Sequence, residues 1–419
     1  MKLSTSFAAV ALIGLTPGIS AAPTSGASTS LKLDWTTNIA GGASAVISAL
    51  WGEVKHAVTW RMIQTSPDQE PYWTTELGKH LLFMRGVKFV DVTDHADFPV
   101  VSTSLASTAS KRPWPTKAAH ADFLKTRVFS NITADGPRAN LKKFTSFRNR
   151  YYRSATGRES QLWLLSKVKE IASTNPQITV SEFEHDWQQN SIIMHFPSNS
   201  SSQPFDASKS IKKEHKPVVI LGAHLDSTAF IPFLPAPGGD DDGSGTATLL
   251  EALRALLAVG WQPQGDYDLE WHWYSAEEGG LLGSQEIVKS YVQRGREVRA
   301  MLQQDMTAFL KPGTAEKIAL VADFTDPKLT SFLEMLVTEY LDIPAAQTKI
   351  GYAASDHASW MKAGIPAAFA VEGLYDDCNL RNIHTSGDTT TAEGYSFDHM
   401  LKFVRLTTAF AVELAGQQA

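Results

Sequence analysis

The sequence predicts an α/β fold: a single globular domain with a central, mostly parallel mixed β-sheet, flanked by helices on both faces and preceded by a small N-terminal region. Three observations carry this expectation. From about residue 113 onward, apolar strand-like runs alternate with stretches of helical periodicity. The strand cores, such as Val218 to Leu221 and Leu269 to Tyr274, are apolar almost throughout, as strands covered on both faces must be. Polar residues gather where those runs end, which is where open α/β sheets bind ligands.

Taken in order, residues 22 to about 112 differ in character from the remainder of the chain. They hold a Ser/Thr/Ala/Gly-rich start, the apolar segment Ala43 to Trp51, an extended run Val87 to Val92, and the polar stretch STSLASTASKRP. That composition reads as a pro-region (22–112) ahead of the main α/β domain (113–419), with Lys111-Arg112 as a candidate dibasic processing site. Asn140 to Tyr152 and Glu159 to Ile171 are expected to be helices. Leu162, Leu165, Val168 and Ile171 give the second its helical spacing. Ile178 to Val180, Ser191 to Phe196 and Val218 to Leu221 are expected strands. Ser244 to Val259 is expected to be a helix closed by Gly260. Leu269 to Tyr274, Val298 to Gln303, Ile318 to Val321 and Ala367 to Val371 continue the strands. Ile287 to Arg294, Pro327 to Tyr340 (opened by its proline) and Phe397 to Ala415 continue the helices.

Composition narrows the function. A net charge of -6 gives no support to nucleic-acid binding. The start, MKLSTSFAAVALIGLTPGISAAP, has a lysine, an apolar run from Phe7 to Leu15 and a small-residue exit. It predicts a secretory signal peptide over 1–21, hence a secreted, extracellular protein. No later run reaches the roughly 18 uncharged apolar residues of a membrane span, so no membrane partner is expected. The sequons at Asn131 and Asn199 are glycosylation candidates in such a protein. Cys378 is the only cysteine, which excludes an intramolecular disulfide and a cysteine-based zinc knuckle. A metal here must be held by His, Asp and Glu.

The chemistry concentrates at strand ends. His224 and Asp226 follow Val218 to Leu221, and two residues apart on a continuing strand they share a face. Asp240, Asp241 and Asp242 lie just before Gly243-Ser244-Gly245, and so many carboxylates beside a histidine call for a cation. Glu277-Glu278 follow Leu269 to Tyr274, Asp305 follows Val298 to Gln303, and His384 stands in the late loop NIHTSGDT. In the Glu277-Glu278 pair one carboxylate can ligate a metal while the other accepts a proton from a metal-activated water; spacing alone does not assign which. His272, between Trp271 and Trp273, is read as structural.

The motifs GAHLDS, PGGDDDGSG, YSAEEGGLLGS, QQDMTAF, GYAASDHASW and NIHTSGDT, in that order, resemble the secreted di-zinc leucine aminopeptidases of fungi and bacteria, over roughly residues 115 to 419. The resemblance implies a zinc-exopeptidase fold and two Zn2+ ions. It places the five metal ligands on His224, Asp241, Glu278, Asp305 and His384, with Asp241 bridging and a cis peptide at Asp241-Asp242. It makes Glu277 the general base and Asp226 the carboxylate that orients His224. Tyr352 is implied near the substrate carbonyl; a supporting or structural role for Asp356 and His357 is read from the residues themselves. The implied reaction removes a Leu-like first residue from peptides with free N-termini. A zinc-activated water attacks the carbonyl and Glu277 shuttles its proton. Met306 and Phe309 are candidate walls of the side-chain pocket, and a monomer is expected.

One departure stands out: positions matching a family disulfide near Tyr352 are Ile350 and Ala354 here. Contiguous Ser355-Asp356-His357 offers a serine-triad alternative, but adjacent side chains cannot easily align as nucleophile, base and orienter. A carboxypeptidase, a cyclising transferase on the same fold, and a non-catalytic receptor built on a decayed peptidase are the competing functions. The last would be expected to lack ligands that are all present here.

Overall fold

The computed structural model describes residues 57–66, 68–95, 112–199, 216–232 and 234–416. The expected leader, the segment Ala43 to Trp51, Lys111 and the two residues after Asn199 lie outside the described residues.

Residues 57–95 fold against the rest of the chain. β1 (Trp60–Gln64) pairs antiparallel with β2 (Tyr72–Thr75) and β3 (Val90–Asp91). Between the last two lies helix α1 (Glu76–Met84), whose first turn is capped by the Thr75 hydroxyl accepting from Gly78 N. Sequence reading found only the extended run near β3. The others are short strands and one helix of 9 residues, with exposed Trp60 and Trp73 in place of a clean alternation. A buried ionic cluster binds the segment together. Lys79 Nζ lies 2.7 Å from Asp91 Oδ2 and 3.2 Å from Glu76 Oε2, and Arg61 Nε lies 2.7 Å from Glu76 Oε1.

Beyond residue 112, helices α2 (Asp135–Phe144) and α3 (Ala155–Ala172) lead into β4 (Thr179–Phe183) and β5 (Ser191–Phe196). Then come β6 (Val218–His224), α4 (Gly243–Ala258), β7 (Asp268–Tyr274), α5 (Leu282–Arg294) and β8 (Val298–Gln304). The chain closes with β9 (Ile318–Val321), α6 (Pro327–Tyr340), β10 (Ala345–Thr348), α7 (His357–Lys362), β11 (Ala367–Val371) and α8 (Phe397–Ala415). Strand order is β10-β9-β11-β8-β6-β7-β5-β4. The sheet is mixed: four pairings are parallel, while β11–β9, β5–β7 and β4–β5 run antiparallel. The parallel centre, β11-β8-β6-β7, is what aligns several carboxyl ends in one place.

Alternation along β6 divides the core. Val219, Leu221 and Ala223 join the cluster packed by α3, α4, α6 and α8, whereas Val218 and Ile220 meet α5 and α7 on the opposite face. Burial on both faces explains why β6, β7 and β8 read as continuous apolar runs.

Helix α2 departs most from expectation among the predicted helices. Instead of running from Asn140 to Tyr152, α2 begins at Asp135 and ends at Phe144. Residues 145–152 turn instead because their polar side chains hold distant loops. Asn149 Nδ2 donates to Pro232 O at 2.9 Å, and Arg150 Nε donates to Leu225 O at 2.9 Å.

Candidate metal centre

Three strand ends and two loops bring the polar residues together. β6 delivers His224, and the loop after it returns Asp241 to the same point before α4 begins. β7 delivers Glu277 and Glu278, β8 delivers Asp305, and the loop before α8 brings His384. Two groups of buried donors result: His224 and Asp305 in one, with Asp242 in reach, and Asp241, Glu278 and His384 in the other.

Asp241 joins the groups. Its Oδ1 lies 3.0 Å from His224 Nε2 and its Oδ2 lies 3.0 Å from His384 Nε2. Asp305 Oδ1 is 3.6 Å from the same His224 nitrogen, and Glu278 Oε2 is 3.1 Å from the same His384 nitrogen. Asp242 is differently employed although it also lies within reach. Its Oδ1 accepts from Gly245 N at 2.8 Å and its Oδ2 from His224 N at 3.0 Å, so it caps α4 and fixes the end of β6. Asp240 Oδ1 accepts from Ala308 N and its Oδ2 from Asn379 Nδ2. Of the three aspartates only Asp241 offers one oxygen to each histidine. The Asp241–Asp242 peptide is cis.

Asp226 sits behind His224, with Oδ1 3.4 Å from His224 Nδ1 in an approach that does not complete a hydrogen bond. Its carboxylate also accepts the backbone N–H groups of Glu277 (3.1 Å) and Glu278 (3.2 Å). One side chain therefore registers the end of β6 against the end of β7.

The donor set fits two divalent cations of the zinc type: two imidazoles and three carboxylates, all nitrogen or oxygen. Two carboxylate oxygens, Glu278 Oε1 and Asp305 Oδ1, are buried without any hydrogen-bond partner, and a cation is the group that would satisfy them. Electrostatics agree. Burial and the carboxylates of Glu278, Asp356 and Asp305 push Glu277 well above the usual range, though His224 opposes this. Burial pulls His384 down, but Glu278 and Asp241 outweigh it and hold it at about 9. So many buried carboxylates favour positive charge wherever it can be placed.

Three supporting residues carried no sequence signal. Arg150 is fully buried and donates to Leu225 O (2.9 Å), Gly238 O (3.0 Å) and Pro237 O, which ties both ends of the 225–238 loop. Asp388 Oδ1 and Oδ2 accept from Asp240 N and Asp241 N, each at 3.0 Å, and hold the aspartate turn. Glu372 Oε2 accepts from Phe309 N at 2.7 Å, and Oε1 accepts from Asn379 N at 2.9 Å. Nothing local distinguishes an aspartate in a polar loop or an arginine after a helix. Backbone strain also gathers here. Ala276, Met306 and His384 have positive φ, at or next to the functional side chains of Glu277, Asp305 and His384.

A cavity of about 290 Å³ opens onto Asp241, Glu277, Glu278, Asp305 and His384. Tyr352 lines it, as do Met306, Ile350, Phe369 and Val371, which form an apolar wall. Phe309 is not at the wall; its ring packs where Gly394 leaves room for it. Cys378 is a buried part of the same wall, and burial pushes its thiol up, away from reactivity. Ser355, Asp356 and His357 do not form a triad. The Ser355 hydroxyl donates to Asp305 Oδ2 at 2.6 Å, and both His357 ring nitrogens lack partners. Burial lowers His357 to about 3, so it stays neutral. Asp356 is buried beneath the site with Oδ2 3.4 Å from Gln303 Nε2. His272 is structural, with Nε2 3.0 Å from buried Glu270. Unforeseen in the sequence, Phe83 of α1 lines the cavity, its ring centroid 4.5 Å from that of His384.

A paired-cation centre at the carboxyl ends of a mixed α/β sheet, with a free glutamate beside it, defines a metallohydrolase of the two-metal type. Residues 208–408 match the model of peptidase family M28. The chain is 43% identical over 369 residues to "Leucine aminopeptidase 1" of Grosmannia clavigera, covering 84% of this chain and 85% of that one. It is 41% identical over 399 residues to "Leucine aminopeptidase 1" of Aspergillus clavatus, covering 90% and 97%. The crystal structure of the Legionella pneumophila LapA aminopeptidase superposes with a TM-score of 0.72 at 25% identity, covering 86% of this chain and all of that one. The chain belongs to peptidase family M28.

Proposed function

We propose that this protein is a zinc-dependent aminopeptidase that removes a Leu-like N-terminal residue from peptides. The observation that carries the reading is Asp241, whose two oxygens face the two histidines. Two cations would be held by His224 and Asp305 on one side and Glu278 and His384 on the other, with Asp241 shared between them. When bound, a zinc pair polarises the scissile carbonyl and makes water a competent nucleophile near neutral pH.

The protein's own residues supply the rest. Glu277 borders the same cavity with its backbone pinned by Asp226, so its carboxylate is placed to take a proton from the attacking water and return it to the leaving amine. A substrate's free α-amino group is drawn to the carboxylates, which orients the first peptide bond toward Glu277. Tyr352, which burial and neighbouring acidic groups keep protonated, offers an O–H donor to the carbonyl oxygen as it gains charge. The wall of Met306, Ile350, Phe369 and Val371 favours an aliphatic first side chain. Asp356 supports the centre from beneath.

The remaining assignments are part of the same proposal: a leader over 1–21, a pro-region over 22–112, a catalytic domain over 113–419, and secretion as a monomer. Asn131 and exposed Asn199 stand as the glycan positions. Among the described residues no helix is long and apolar enough to cross a membrane.

Leucine p-nitroanilide and its N-acetyl form test the reading. Only the free amine is expected to be cleaved; equal rates on both would sink the exopeptidase assignment, and a carboxypeptidase or cyclising transferase would leave both intact.

A further inference from the structure

The N-terminal segment does more than line the cavity. After Phe83, the chain passes Lys88 and Phe89, which also line it, and then leaves along the start of α5. There Asp91 N donates to Gly280 O at 3.1 Å, and Gln285 Nε2 donates to Asp91 O at 2.9 Å. Both main-chain groups of one residue are thus held by the domain that carries the metal centre. Gln285 Nε2 also donates to Gly280 O at 3.1 Å, which fixes the pair relative to each other. One helical turn on, Lys289 Nζ donates to Asp94 O at 3.1 Å.

Three features set this contact apart from an incidental one. The captured groups are backbone, so the station is blind to the side chains it holds. Gly280 is shaped for close approach: a Cβ there would lie 2.6 Å from Asp91 N, and its φ of +103° also requires glycine. Gln285 is buried, yet its Oε1 has no partner and remains a free acceptor. The polarity also fits. Residues 88–94 run from the cavity outward in the N-to-C direction, as a substrate must when its free amine is the end held at the metals.

We propose that Gly280 O, Gln285 and Lys289 bind the main chain of peptide substrates downstream of the scissile bond, and that residues 88–94 occupy this station in the full-length chain. The proposal rests on the aminopeptidase reading. Substrates long enough to reach Gln285 gain from it, and single-residue esters, amides and anilides do not.

The test uses the whole zinc-loaded chain as wild type, Gln285→Leu and Lys289→Ala, nicked with trypsin after Lys111 until its rate on leucine p-nitroanilide is constant. Nicking is expected to raise that rate by loosening the N-terminal segment. The readout is kcat/KM for leucine p-nitroanilide, leucyl-tetraalanine and leucyl-heptaalanine. In Gln285→Leu the ratio of tetraalanine substrate to anilide is expected to fall roughly five- to tenfold, the worth of one or two hydrogen bonds. In Lys289→Ala, whose side chain lies nearer the surface, the added gain from the heptaalanine substrate is expected to vanish. An acetylated peptide of residues 87–95 should compete with substrate in wild type and bind roughly fivefold more weakly to Gln285→Leu. Ratios that match wild type in both variants, with a peptide that binds them alike, would overturn the station and leave the aminopeptidase reading standing. A nicked wild type that holds zinc and has released its N-terminal segment, yet is inert on leucine p-nitroanilide, would overturn both.

Discussion

Glu277→Gln is expected to slow turnover severely while leaving the metals in place. Glutamine keeps the size and the neighbouring contacts but cannot take a proton, and losing a general base costs roughly 10²–10⁴-fold in rate. Glu277 is the one glutamate of the pair that makes no close approach to a histidine, whereas Glu278 Oε2 lies 3.1 Å from His384. Zinc content near two per chain with kcat reduced by that factor is the expected result, measured by elemental analysis and steady-state rates on one preparation. A variant that loses its metal would instead make Glu277 a ligand.

Asp241→Asn is expected to act on the metals themselves. Because Asp241 alone faces both His224 and His384, weakening it weakens both positions at once. Zinc should fall from two per chain to one or fewer, and the rate should fall at least as far as in Glu277→Gln. Asp242→Asn provides the contrast. Asp242 already receives backbone N–H groups on both oxygens; asparagine keeps one acceptor for the α4 cap but turns an amide NH2 toward the other donor, so the change should cost about 1–3 kcal/mol of stability while zinc is retained. Thermal unfolding and metal analysis separate the two. If Asp242→Asn sheds zinc and Asp241→Asn does not, the bridging role belongs to the wrong aspartate here.

Much of this site was legible in the sequence because its parts sit where local patterns end. The continuous apolar runs of β6, β7 and β8 mark fully buried strands, and His224, Glu277, Glu278 and Asp305 stand directly at their ends. Asp241 and His384 come from loops, and only the resemblance to known aminopeptidases separated Asp241 from its two neighbours. Hydrogen bonding supplies the physical reason: Asp240 and Asp242 are consumed by backbone donors. Arg150 and Asp388 stayed hidden because their roles consist of gripping loops distant in sequence. The same holds for α2, which stops at Phe144 where Asn149 and Arg150 are recruited elsewhere. The fold of residues 57–95 was not legible. Its strands are short and partly exposed, and buried ion pairs among Arg61, Glu76, Lys79 and Asp91 hold it without a clean hydrophobic period.

On the proposed mechanism, two zinc ions held by His224, Asp241, Glu278, Asp305 and His384 are required for N-terminal hydrolysis. Stripping the protein with a chelator and titrating zinc back tests it directly, with hydrolysis of leucine p-nitroanilide followed at each addition. The expected result is loss of activity on stripping and recovery that levels off at about two zinc ions per chain. Full activity persisting in the stripped protein would overturn the two-zinc requirement.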